Sequence, residues 1–261
     1  MSDSPVLCTI ADGVATVTLN NPPFNLVTLR LTAELDALLD QLAADGDVRV
    51  IVVTGSGERA FCAGSDISEF PDLTEPGVVV ERKLVQENAT YTKLDRFPKP
   101  TIAAVRGLAF GGGLELAVCC DLLVVEENAR LCLPEIKLGV IPGAGGTFRV
   151  TRRVGEGRAK EMIFFGESID AATALAWGLI NSVVGKGEAV STAQAMARTL
   201  AERPGVALRA CKEAIDMSFE TTKEAAIQRS LELSDEVFVT NDCKEGFRAF
   251  FAKEKPRFTH S

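Results

Sequence analysis

Histidine is almost missing from this chain of 261 residues: its one copy, His260, stands beside the C-terminus. A single His in that place excludes Ser–His–Asp hydrolysis, Cys–His chemistry and most His-rich metal sites. Paired cysteines are missing too. The seven cysteines (Cys8, Cys62, Cys119, Cys120, Cys132, Cys211, Cys243) are odd in number and form no CxxC. Most lie in apolar runs such as LAVCCDLLVV, where a free thiol behaves as a small hydrophobe, and the pattern fits a reducing compartment. No long basic run occurs and the formal charge is −8, which argues against nucleic acid or an acidic membrane as the main partner. The start, MSDSPVLCTI, lacks the basic and apolar regions of a signal peptide. The most apolar stretch, residues 108–125, is broken by Gly111, Gly112, Gly113, Glu115 and Asp121, so it reads as buried core rather than a membrane span. A cytoplasmic protein is expected.

What is present is ordinary globular composition, 46 % hydrophobic and 25 % charged. The length suits one large domain, or a main domain with an appendage, and needs no disulfide or metal to fold. Residues 6–10 and 14–19 are β-rich runs joined by Ala-Asp-Gly, which predicts a hairpin. Leu31, Leu35, Leu38, Leu39 and Leu42 follow the period of an amphipathic helix. Residues 48–54, 101–105 and 122–125 read as buried strands, 78–94 as a helix, 113–119 as a short helix and 180–184 as the last strand. This alternation predicts an α/β spiral or layered sheet. Beyond residue 186 the pattern changes to four helices, at 188–201, 205–219, 222–235 and 241–253. The boundary therefore separates a core, 1–186, from a helical region, 187–261.

Four segments could carry chemistry. In GLAFGGGLELAVCCD, three glycines precede an apolar helical stretch, leaving N-terminal N–H groups free to face an anion or a developing oxyanion. Glu115 falls in the first turn of that helix, where a carboxylate equally well complements the helix dipole. The segment matches neither GxGxxG nor GxxxxGK[ST], so a nucleotide cradle is not expected. Glu135 follows Pro134 and, alone, is a turn carboxylate. AFCAGSD (60–66) follows a strand and would expose N–H groups at its end, or simply cap a helix through Asp66. IPGAGGT (141–147) is a glycine-rich helix entry.

Together these segments resemble one family. AFCAGSDI, AVRGLAFGGGLELAVCCD, LPEIKLGVIPGAGGTFR and WGLINSVV are similar to the enoyl-CoA hydratase/isomerase (crotonase) superfamily over essentially the whole chain. Glu115 and Glu135 are 20 residues apart, as are the two catalytic glutamates of the family's hydratases. The resemblance implies an α/β fold, the crotonase-like spiral of repeated ββα units with a C-terminal helical trimerisation region, assembled as a homotrimer or homohexamer. By motif position it also implies an oxyanion hole from the backbone N–H groups of Ser65 and Gly112, with Gly143 near the catalytic water. Lys253, in AFFAKEKPRF, would approach the CoA of a neighbouring subunit, with Arg257 a further cation. Two departures, Leu26-Val27 after Asn25 and Leu133 before Pro134, are expected to line the acyl pocket.

The chemistry these residues suit is addition of water to the 2,3-double bond of an enoyl thioester. Two N–H donors hold the charge that builds on the thioester oxygen. Two glutamates sharing a proton supply base and acid, Glu115 activating water and Glu135 protonating C2. No metal or cofactor is called for, since CoA enters as part of the substrate. An isomerase needs only one such carboxylate, which the pair disfavours. Other acyl-CoA reactions of the superfamily stay open. An RNA-binding relative is disfavoured by the charge, and a non-catalytic one by the retained pair.

Overall fold

The computed structural model describes residues 4–261. Strands β1 (Val6–Ala11) and β2 (Val14–Leu19) form the expected hairpin, turning through Asp12 and Gly13, both with positive φ as a type I′ turn requires. Helix α1 (Leu29–Ala44) starts where the Thr28 hydroxyl accepts the Leu31 N–H, and it buries Leu31, Leu35, Leu39 and Leu42. Then the chain repeats a pattern. A long buried strand, β3 (Val50–Gly55), leads to a three-residue strand, β4 (Ala60–Cys62), and after a π-helical turn (Val80–Leu84) to α2 (Val85–Asp95). Next come β5 (Thr101–Val105), β6 (Leu108–Phe110) and α3 (Gly112–Ala117). The third turn is β7 (Leu122–Glu126), β8 (Arg130–Cys132), a 3-10 turn (Glu135–Leu138), α4 (Gly146–Val154) and α5 (Glu156–Phe165). Strand β9 (Ile169–Asp170), α6 (Ala171–Trp177) and β10 (Ser182–Val184) complete the core.

The first strands of each turn build one six-stranded sheet, ordered β1-β2-β3-β5-β7-β10 and parallel except for the hairpin. The short second strands build another, β4-β6-β8-β9. Because β3 and β5 are buried along their whole length, they read as unbroken apolar runs rather than alternating ones. One face of the large sheet meets α1 and α2 through Ile51, Val53, Ala103, Leu35, Leu39 and Leu94. The other face, with Val50, Val52, Ile102 and Ala104, packs on Ala189, Ala193 and Ala197 of α7 (Ala189–Ala201), whose small side chains let helix and sheet approach closely.

Helices α8 (Gly205–Met217), α9 (Lys223–Phe238) and α10 (Asn241–Ala252) follow. Their exposed apolar side chains include Ile215, Leu231, Phe238, Phe250 and Phe251. No helix among the described residues is long and apolar enough to cross a membrane.

Candidate active site

The small sheet places its strand ends along one cleft of about 970 Å³. Ser65 lies just beyond β4, Gly111 and Gly112 just beyond β6, and Pro134 and Glu135 just beyond β8. Parallel strands of neighbouring repeats thus deliver their following residues to the same place. Two glycines make this approach possible. Gly111 turns with φ +50°, and a Cβ there would stand 2.8 Å from Glu135 Oε1. A Cβ on Gly113 would stand 2.1 Å from the Cys62 carbonyl oxygen, so the start of α3 rests directly on the backbone of β4.

Among the described residues, the N–H groups of Ser65 and Gly112 have no acceptor in the chain. Gly112 is the first residue of α3, where the N–H is unused by the helix ladder. The two residues face each other: the Ser65 hydroxyl oxygen lies 3.3 Å from where a Gly112 Cβ would stand. Tyr91, the single tyrosine, is buried on α2 and donates its hydroxyl to the Gly112 carbonyl at 2.9 Å. That bond holds the first turn of α3 in place.

Glu115 projects from α3 and is 3 % exposed. Its Oε1 accepts the N–H of Ala144 at 2.9 Å and of Gly146 at 2.8 Å, so the 142–146 loop is strapped to the carboxylate. Burial pushes the Glu115 carboxyl up to about 8; the Gly146 N–H opposes this and the charge of Glu135 adds to it. Burial also raises Glu135, to about 6, with the Glu87 charge contributing. Glu135 Oε2 is buried without a hydrogen-bond partner among the described residues. Burial thus raises both carboxyls, Glu115 the more strongly. Gly143 also lines the cleft, and its carbonyl accepts the Asn88 side-chain N–H at 2.8 Å.

The cleft thus brings Ser65, Gly112, Glu115, Glu135 and Gly143 together. Lys253 is not among them. It is exposed, it ends α10 with φ +55°, and it does not line the cleft. The expected pocket role of Leu26-Val27 and Leu133 is corrected. Asn25 is fully buried and donates to the carbonyls of Ser56 and Ala60, while Val27 pairs with Ser65 along the backbone. Leu133 is fully buried in the main core. Val27 backs the wall through its backbone bonds to the 64–66 segment, and none of Leu26, Val27 and Leu133 lines the cleft itself.

The π turn and α2 add residues that no sequence motif marks. Lys83, Glu87 and Asn88 line the cleft, and Lys83 and Glu87 are 3 % and 2 % exposed. The only signal was their i, i+4 spacing, which on an isolated helix reads as a solvated pair. Among the described residues, no group of three or more His, Cys, Asp or Glu could hold a metal ion.

The chain is similar to known proteins along nearly its whole length. The family model described as enoyl-CoA hydratase/isomerase matches residues 9–261. A probable enoyl-CoA hydratase of Rhizobium meliloti is 39 % identical over 261 residues, all of both chains. The short-chain-enoyl-CoA hydratase of Clostridium acetobutylicum is 38 % identical over 93 % of this chain and 92 % of that one. Among solved structures, an enoyl-CoA hydratase from Bacillus anthracis superposes with a TM-score of 0.93 at 35 % identity, covering 98 % of this chain and 100 % of that one.

Proposed function

The chain belongs to the enoyl-CoA hydratase/isomerase family, and from that premise we propose that it adds water reversibly across the 2,3-double bond of a 2-enoyl-CoA to give the 3-hydroxyacyl-CoA. The observation that carries the reading is the pair of carboxyls, Glu115 and Glu135, both raised by burial and both facing the cleft that the unpaired N–H groups of Ser65 and Gly112 also face. A thioester oxygen seated between those two donors would gain charge as water adds at C3, and preorganised donors stabilise that charge without reorganising.

The ionised glutamate takes a proton from water and the protonated one delivers a proton to C2, so the pair ends each cycle with one proton. Burial favours the proton on Glu115, the reverse of the order that the family resemblance implies. Substrate would change the balance. Glu115 is already dry and keeps two N–H donors, whereas Glu135 is partly open and loses water when an acyl chain covers it. Loading therefore shifts the proton toward Glu135, leaving Glu115 to activate water.

Coenzyme A enters as part of the substrate, and the chemistry needs no other cofactor. The exposed Phe238, Phe250 and Phe251 support assembly of trimers or hexamers through the C-terminal helices. In such an assembly Lys253 would serve a neighbour's CoA rather than its own cleft. All seven cysteines are free thiols, which supports a reducing, cytoplasmic setting.

The test is turnover of a panel of 2-enoyl-CoA thioesters, followed by loss of absorbance of the conjugated thioester. Hydration of one or more members is expected. Conversion of 3-enoyl-CoA to 2-enoyl-CoA without hydration would replace this reading with an isomerase.

A further inference from the structure

Where the cleft wall is otherwise formed by Ile67, Phe70, Leu73, Leu84 and Val140, it contains a charged pair that the hydration chemistry does not use. Lys83 and Glu87 are almost wholly buried, and their nearest charged atoms are 3.7 Å apart, too far for a hydrogen bond. The other carboxylate near Lys83, Glu69, is 4.0 Å away. Among the described residues, Lys83 Nζ and Glu87 Oε1 have no hydrogen-bond partner. Buried polar atoms are nearly always satisfied, and orphaned charged ones are costly, so two side by side in a ligand cleft ask what completes them. The segment carrying Lys83 is the π turn Val80–Leu84, a widening of the helix that concentrates at functional sites.

Glu87 also stands close to the reacting groups. Its Oε1 is 3.5 Å from where a Gly112 Cβ would stand, and its charge raises both Glu115 and Glu135. A substituent reaching it would lie a few bonds beyond the thioester carbon.

We propose that Lys83 and Glu87 bind a hydroxyl group on the acyl chain of the substrate, Lys83 donating to the hydroxyl oxygen and Glu87 Oε1 accepting its proton. This rests on the hydration reading and narrows it to 2-enoyl-CoA thioesters whose chain carries a neutral hydroxyl near C4 or C5. The Lys83 ammonium and the Glu87 carboxylate are 3.7 Å apart at their nearest atoms, Nζ and Oε2, so one oxygen can sit at hydrogen-bond length from both groups. A hydroxyl supplies both an acceptor for a Lys83 N–H and a donor for the Glu87 carboxylate. A carboxylate supplies only acceptors and would stand among Glu69, Glu87, Glu115 and Glu135, with Lys83 already flanked by two of them. An alkyl chain would leave both orphans uncompensated.

The experiment compares kcat/KM for pent-2-enoyl-CoA, its 4-hydroxy and 5-hydroxy derivatives, and the analogue ending in a carboxylate. A preference of about 100-fold for one hydroxylated substrate over the alkyl one is expected, since sites built to bond a hydroxyl discriminate strongly against its absence. In the double variant Lys83→Met/Glu87→Leu the preference should fall to within about fivefold, chiefly through better use of the alkyl substrate. Equal use of alkyl and hydroxylated chains, or a preference for the carboxylate, overturns the proposal while leaving hydration standing. Should no thioester be hydrated, the hydration reading falls, and calorimetric titration with saturated 4-hydroxypentanoyl-CoA, 5-hydroxypentanoyl-CoA and pentanoyl-CoA still decides the subsite. Tighter binding of one hydroxylated ligand by about tenfold supports it, and equal binding, with water completing the pair, overturns it. The wild-type comparison stands even if the variant fails to fold.

Discussion

Replacing Glu115 by Gln should stabilise the folded chain, and by an amount that grows with pH. The carboxyl is raised by burial from its ordinary value of 4.5 to about 8, so between those values the folded chain holds a proton that the unfolded chain has released. Unfolding then becomes easier by about 1.4 kcal/mol per pH unit across that window. At pH 7 the accumulated penalty is about 3 kcal/mol, and it is fully absent below pH 4.5. Glutamine keeps the oxygen that accepts the N–H groups of Ala144 and Gly146, so the strap on the loop survives and only the ionisation is removed. Glu135 is present in both proteins and largely cancels. The assay is urea unfolding of wild type and variant at pH 5, 6, 7 and 8, at one protein concentration because any assembly would contribute by mass action. The variant should gain little at pH 5 and about 3 kcal/mol at pH 7. A gap that is constant with pH, or a variant less stable at pH 7, refutes the claim that this carboxyl is held protonated by burial.

Three further outcomes concern the reaction. Glu115→Gln and Glu135→Gln should each lower kcat by roughly 10²–10⁴, and the double change should cost far less than the product of the two; strict multiplicativity in single-turnover kinetics would show that they do not act as a unit. The dependence of kcat/KM on pH should be a bell with limbs near about 6 and about 8, because below the first both carboxyls are protonated and no base remains, and above the second no acid remains. A flat profile would deny both assignments. Gly112→Pro should keep the fold, since Pro is tolerated at the first residue of a helix, yet lose about 10²–10³ in kcat with the deleted N–H; near-wild-type turnover would place the oxyanion elsewhere.

The large sheet and its helices were readable because their signals are long. Leu31, Leu35, Leu39 and Leu42 repeat over three turns of helix, and β3 and β5 are unbroken apolar runs. The small sheet was not readable. Strands β4, β6 and β8 have three residues each, too few for any periodicity to emerge, and they are defined by partners 20 or more residues away. The carboxyls and donors of the site were found from motifs, not from pattern. Leu133 shows the limit of that route: as a departure from the family pattern it was expected on the cleft wall, but beyond the end of β8 it is fully buried in the main core. Lys83 and Glu87 were missed for a related reason. Their spacing is that of a surface ion pair, and only the fold reveals that both side chains are buried.

The contact between Gly113 and the Cys62 carbonyl has a consequence for how such a cleft can change over time. The separation of the two donors is set by main chain resting on main chain, with no side chain interposed. Mutation can therefore exchange Ser65 for another small residue, or recast the wall at Leu84, Lys83 or Glu87, without altering the distance between the N–H groups. The electrophilic grip on the thioester and the recognition of the acyl chain are inherited separately. A lineage built on this frame can explore new substrates while its most exacting geometry stays out of reach of ordinary substitutions, with Gly111 and Gly113 as the positions where drift would end the activity outright.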